Sequence, residues 1–227
     1  MDAIQAIHNR QGVLAYRPDP VPRELVEIVL RAGCAAPSPA NTQPWEWIAV
    51  NDPELVPVLA GRLIHTQEVG VFGTLLDTPS EFTQNLMALY QDLDQAPWWI
   101  VLSRHRRAQL APPELSSLIR DWELCALGAA LGSLMTAAAS LGLGTRWFGN
   151  PMLDPEPIKE LLNIPEELEI IAASPLGYHQ QPGKERPEQS LETHHGFSRG
   201  DKPALAALLQ GRLPWEAVTH FNTYRQS

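Results

Sequence analysis

The chain has 227 residues, enough for one large domain with a sizeable core. With 17 Lys+Arg against 26 Asp+Glu the formal charge is −9, so no broad basic surface offers itself to nucleic acid or to anionic lipid. Hydrophobic residues make up 44% and charged ones 19%, which excludes global disorder.

Ile4 and Ile7 stand at helical spacing within residues 1–10, and Pro22 and Gly33 bracket a second helix. The first residues lack a basic stretch followed by an apolar one, so they do not read as a secretory signal and the expected compartment is the cytoplasm. Ala35 to Pro44 has the Pro, Ser and Asn content of a loop and leads into the strand-like Trp45 to Val50. Residues 62–95 are irregular and suit a lid carrying Phe72, Phe82 and Tyr90. Trp98 to Leu102 reads as a buried strand, followed by a long helix over 114–140, a strand from Thr145 to Phe148, a short helix over 155–162 and a strand over 168–174 ending at Gly177. A helix from Pro203 to Leu209 and a tail over 204–227 close the chain, with no linker that splits 1–227 into separate domains.

Leu124 to Thr145 carries no charge and is long enough to span a bilayer. Its Ala, Gly, Ser and Thr content argues for a buried helix with no membrane involved, and Gly128 and Gly132 would let a second backbone come close. Cys34 and Cys125 stand in apolar, helix-like surroundings without a CxxC, so they are expected to be core thiols and neither a disulfide nor a metal site. His194-His195 has no third ligand nearby, and no metal is expected. The carboxylates, Glu24/Glu27 and Glu166/Glu167/Glu169 among them, read as helix-surface groups.

No Walker loop, GxGxxG, HExxH or GxSxG is present. Three polar clusters beside apolar walls remain: Asn9-Arg10, Ala36 to Trp45, and Leu141 to Gly149. The succession Arg10 … Tyr16-Arg17-Pro18 … Ala36-Pro37-Ser38 … Asn41 … Gln43-Pro44-Trp45, Gly142-Leu143-Gly144-Thr145 … Trp147 … Gly149, Ile164-Pro165-Glu166 and Leu176-Gly177-Tyr178 resembles the FMN-dependent nitroreductase superfamily.

That resemblance implies an α+β, nitroreductase-like three-layer sandwich: a mixed central sheet flanked by helices, with the long central helix at a homodimer interface. It implies FMN as cofactor, with Arg10, Gln11 and Gly12 at the phosphate side. Pro37, Ser38 and Asn41 would come from the partner subunit, and Trp147, Phe148 and Gly149 would offer backbone N–H groups to the flavin N5 edge. Arg212, or in its place Lys184 and Arg186, would complete the phosphate site. Where relatives read Arg-Arg-Ser-x-Arg/Lys, this chain reads Arg10-Gln11-Gly12-Val13-Leu14, so a second arginine, a serine hydroxyl and a following cation are missing.

The implied activity is an FMN-dependent NAD(P)H oxidoreductase that reduces a nitroaromatic, quinone or similar small acceptor, with the flavin carrying the chemistry and no side chain acting as nucleophile. The alternatives are a flavin oxidase or dehydrogenase of an amide or peptide-derived substrate, and a non-catalytic dimeric binding module.

Overall fold

The computed structural model describes residues 1–13, 15–66, 91–105, 112–149 and 155–180, all within one compact unit, Met1–Pro182. In chain order these residues form α1 (Ala3–Asn9), α2 (Arg23–Cys34), β1 (Trp45–Val50), α3 (Leu55–Thr66), β2 (Trp98–Arg104), α4 (Ser116–Ser140), β3 (Leu143–Thr145), β4 (Phe148–Gly149), α5 (Glu156–Leu162) and β5 (Glu169–Tyr178). Short 3₁₀ turns occupy Pro39–Asn41, Gln91–Gln95 and Pro113–Leu115.

Every residue of β2 is buried, because it lies between β1 and β5 with helices on both faces. The sheet runs β1-β2-β5-β3, with β4 also on β5, and all of these pairings are antiparallel. Parallel pairing enters at the rim, where Gly12 bridges Thr145. The expected mixed sheet is therefore antiparallel in body and mixed only at that edge.

Alternation along β2 feeds two cores, since successive side chains point to opposite faces. Trp99 and Val101 pack with Leu59 and Leu63 of α3 and Ile158 of α5. Trp98, Ile100 and Leu102 pack with Val26 and Val29 of α2 and with Leu127, Leu131 and Leu134 of α4. A register shift between Leu102 and Ser103 skips Ile171 of β5, so Ile170 and Ala173, three residues apart, both enter the first core. The result is the expected three-layer sandwich.

α4 is apolar on most sides and is the one described helix long and apolar enough to cross a membrane. Ala126, Leu127, Ala130, Leu131, Leu134, Met135 and Ala138 fix it against the sheet. Its other side carries Leu118, Trp122 and Cys125 exposed, with Gly128 and Gly132 opening onto empty space.

Three sequence expectations need correction. Cys34 and Cys125 are exposed in the single chain, because one ends α2 beside the turn that leads into β1 and the other lies on the outward side of α4. Residues 62–66 continue the helix α3, which the irregular reading of 62–95 missed. The strand expected over 145–148 is two strands with a gap between them. Of the lid residues, Phe72, Phe82 and Tyr90 lie outside the described residues, as do Arg212, Lys184 and Arg186.

Candidate functional site

The first half of the site starts with a helix end. Asp2 caps α1 through its Oδ1, which accepts the Gln5 N–H at 2.8 Å, and the Gln5 side chain returns to the Asp2 N–H. With its start fixed, α1 ends where Arg10 leaves helical geometry at φ −62°, ψ 122° while still donating its N–H to Ala6 O. The chain then runs extended along β3: Gly12 bridges Thr145, and Val13 N–H donates to Thr145 O at 2.9 Å. Gly144 makes this approach possible, because a Cβ there would sit 2.6 Å from Val13 Cγ2. Arg10, Gln11 and Gly12 are thereby held on the edge that continues into Trp147, Phe148 and Gly149.

Pro175 explains the gap in that edge. The β3 and β4 pairings share one register, Thr145 opposite Leu176 and Phe148 opposite Ala173, which sets Arg146 opposite Pro175. Proline has no N–H for the ladder, so pairing lapses there. Arg146 N–H donates to Ser174 Oγ at 3.3 Å, and the Ser174 hydroxyl donates to Pro175 O at 3.0 Å. Trp147 stands half exposed beyond the gap, whereas the Phe148 ring is buried 5.7 Å from the Trp99 ring. Phe148 can therefore serve a ligand only through its backbone.

Arg146 stands beside this edge and was not among the residues the sequence singled out. Its Cζ lies 5.6 Å from the Phe148 ring centre, and a methyl group placed on Gly12 would lie 3.5 Å from its Nη1. The guanidinium thus reaches across the Gly12–Thr145 bridge to the altered first motif. Tyr16 lies close by, its hydroxyl donating to Val13 O at 3.3 Å. Burial pushes the Tyr16 pKa upward against the opposing influence of the Arg146 charge, so the phenol stays protonated.

The second half, Pro37, Ser38 and Asn41, sits in the turn between α2 and β1. Ser38 Oγ accepts the Gln43 N–H at 3.0 Å, and Ser38 O accepts the Asn41 N–H at 3.0 Å. Ala40, Asn41 and Gln43 all have positive φ (48°, 57° and 45°), a conformation that costs non-glycine residues and here tightens the loop. Cys34, Asn41, Gln43, Trp45 and Trp47 line an open cavity of about 570 Å³ beside it.

A buried ion network that the sequence did not reveal anchors this loop. Arg104, at the end of β2 and opposite Trp45, meets Glu123 at 3.0 Å and Glu169 at 3.1 Å, and Glu169 also takes Arg120 at 2.7 Å. His105 N–H then donates to Pro44 O at 2.7 Å. Glu169 is thus a network member where a helix-surface group was expected.

Among the described residues the two halves lie on opposite edges of the sheet. The 37–43 turn feeds β1, and Thr145 to Gly149 lies on the opposite edge of the sheet with β2 and β5 between them. Three strand spacings of about 4.8 Å separate the edges by roughly 14 Å.

Solved structures similar to this chain include nitroreductase A from Vibrio parahaemolyticus, at a TM-score of 0.66 and 21% identity over 100% of this chain and 78% of that one. The NADPH:FMN oxidoreductase from Vibrio harveyi complexed with NAD⁺ matches at a TM-score of 0.66 and 20% identity, over 99% and 79%. A curated relative, NADH dehydrogenase from Thermus thermophilus, is 29% identical over 201 residues, 81% of this chain and 89% of the relative. The sandwich is thus the fold of nitroreductase-type oxidoreductases. The profile of the Nitroreductase family matches residues 7–178, and the chain belongs to that family and is an oxidoreductase.

Proposed function

We propose that the chain acts as a cytoplasmic homodimer holding FMN between subunits and uses NAD(P)H to reduce a nitroaromatic, quinone or similar small acceptor. The observation that carries this reading is the division of the site across opposite sheet edges, which calls for a second copy to bring its Pro37, Ser38 and Asn41 to the Arg10–Gly149 edge. The exposed side of α4, with Trp122, Gly128 and Gly132, supports the same pairing because small residues let two helices approach closely.

The donor set suits a phosphorylated flavin. A guanidinium such as that of Arg10 meets a phosphate dianion with a planar fork of N–H groups. The break in pairing opposite Pro175 leaves main-chain groups around Trp147 outside the ladder, available to the edge of a ring. Gly149 adds no side chain to that approach. FMN held by these residues would supply hydride-transfer chemistry between NAD(P)H and the acceptor, with protons drawn from water. The protein's part is to bind, orient and shield.

The direct test is the visible spectrum of the purified protein, followed by anaerobic addition of NADH or NADPH. A yellow dimer with about one FMN per subunit that bleaches on reductant is the expected result. A colourless chain that takes up no added FMN refutes the reading, and oxygen uptake without pyridine nucleotide would move the assignment to a flavin oxidase. Arg10→Ala is expected to weaken FMN by about 10–100-fold, the worth of one charged hydrogen-bonding partner.

A further inference from the structure

We propose that Arg146 is the second cation of the flavin phosphate site, delivered through the space that Gly12 leaves open. This rests on the flavin reading above. The first motif offers one positive charge, Arg10, where a phosphate dianion favours two, and Gln11, Gly12, Val13 and Leu14 add none.

Three features of the fold bring it there. Thr145 is zipped to Gly12, so the residue after it is carried alongside the motif. Ser174 Oγ accepts the Arg146 N–H at 3.3 Å while its hydroxyl donates to Pro175 O at 3.0 Å, which sets Arg146 at the rim opposite Pro175. The guanidinium Cζ then lies 5.6 Å from the Phe148 ring centre, within cation–π range. At the far end, Nη1 stops in van der Waals contact with the place where a side chain at position 12 would begin. Glycine at 12 and arginine at 146 are therefore complementary: a larger residue at 12 would occupy the approach. Gly12 lies two residues from Arg10, so the Arg146 guanidinium stands beside the short stretch of backbone that carries Arg10.

The test uses apo-protein titrated with FMN and, separately, with riboflavin, which lacks the phosphate, read by quenching of flavin fluorescence. For Arg146→Gln the expected result is a loss of about 10–100-fold in FMN affinity with less than about threefold change for riboflavin. Arg146→Lys should recover part of the FMN affinity, since charge returns without the fork. Gly12→Leu keeps every charge and obstructs the guanidinium, so it should reproduce the selective FMN loss. A misfolded variant would lose both flavins, and thermal melts of the apo-proteins identify it. Unchanged FMN affinity in Arg146→Gln overturns the proposal, as does an equal loss for FMN and riboflavin, which would put Arg146 at the ring. Wild-type protein that binds neither flavin defeats the functional reading itself, a result distinct from both.

Discussion

Gly144→Ala tests the contact that joins the two motifs of the first half-site. The added methyl would fall 2.6 Å from Val13 Cγ2, 3.0 Å from Val13 Cβ and 3.1 Å from Val13 Cγ1. Carbon atoms rest at about 3.5–4.0 Å, so β3 and the 12–13 segment must separate by roughly 1 Å. The Val13 N–H to Thr145 O bond, 2.9 Å in the native chain, cannot survive such a shift. Overpacking of this kind costs about 1–3 kcal/mol. Val13→Ala on its own removes two methyls from a side chain that is 3% exposed, at about 2 kcal/mol. In the double variant the methyl added at position 144 fills the space left by Val13, so the combined loss should fall short of the sum by at least about 1 kcal/mol. Urea denaturation of the four proteins measures this coupling, and FMN titration should show Gly144→Ala weakened and the double variant partly restored. Strictly additive losses would refute the contact as the reason for glycine at 144.

Glu123→Ala should destabilise the fold by about 3 kcal/mol in urea melts, because it leaves Arg104 buried with Glu169 alone to balance it; a loss under about 1 kcal/mol would show the pair to be solvated. Gly132→Arg on the open side of α4 is expected to give a monomer that no longer retains FMN, measured by light scattering and absorbance, while the far-ultraviolet circular dichroism is unchanged. His179 is held below its ordinary pKa by burial, so the unfolded chain takes up its proton first. Its contribution is full above about pH 6.5 and is lost as pH falls through the lowered folded value. Stability measured from pH 8 to pH 5 should therefore decline less steeply in His179→Gln than in the native chain, and parallel curves would count against it.

Elements that draw their form from nearby residues were legible in the sequence. β1 follows the Trp45 to Val50 run to the residue, and α2 and α5 depart from expectation by one position. α3 was missed although a start signal was present: Asp52 Oδ1 accepts the N–H groups of Glu54 and Leu55, and Pro57 sits in the first turn, where its missing N–H costs nothing. Gly33, read as a helix stop, lies within α2, and its lack of a side chain admits Trp47, whose ring would be 2.9 Å from a Cβ.

What was not legible has its cause far away in the chain. The β3–β4 gap is produced by Pro175 on the partner strand, and Glu123 looks like a solvated helix residue until Arg104 is brought against it. The exposure of Cys125 beside Trp122 has a related origin, since the side of α4 that carries them is not covered by the sheet or by the other described helices. The first motif follows the same logic. Read along the sequence, Arg10-Gln11-Gly12-Val13-Leu14 has lost cations, and its glycine looks like one more loss. In the fold that glycine is an opening, and the residue filling it belongs to the strand edge to which the motif is bridged. On the proposed reading, a short motif judged position by position understates a site that the sheet completes from elsewhere, and its charge is to be counted across the bridge as well as along the chain.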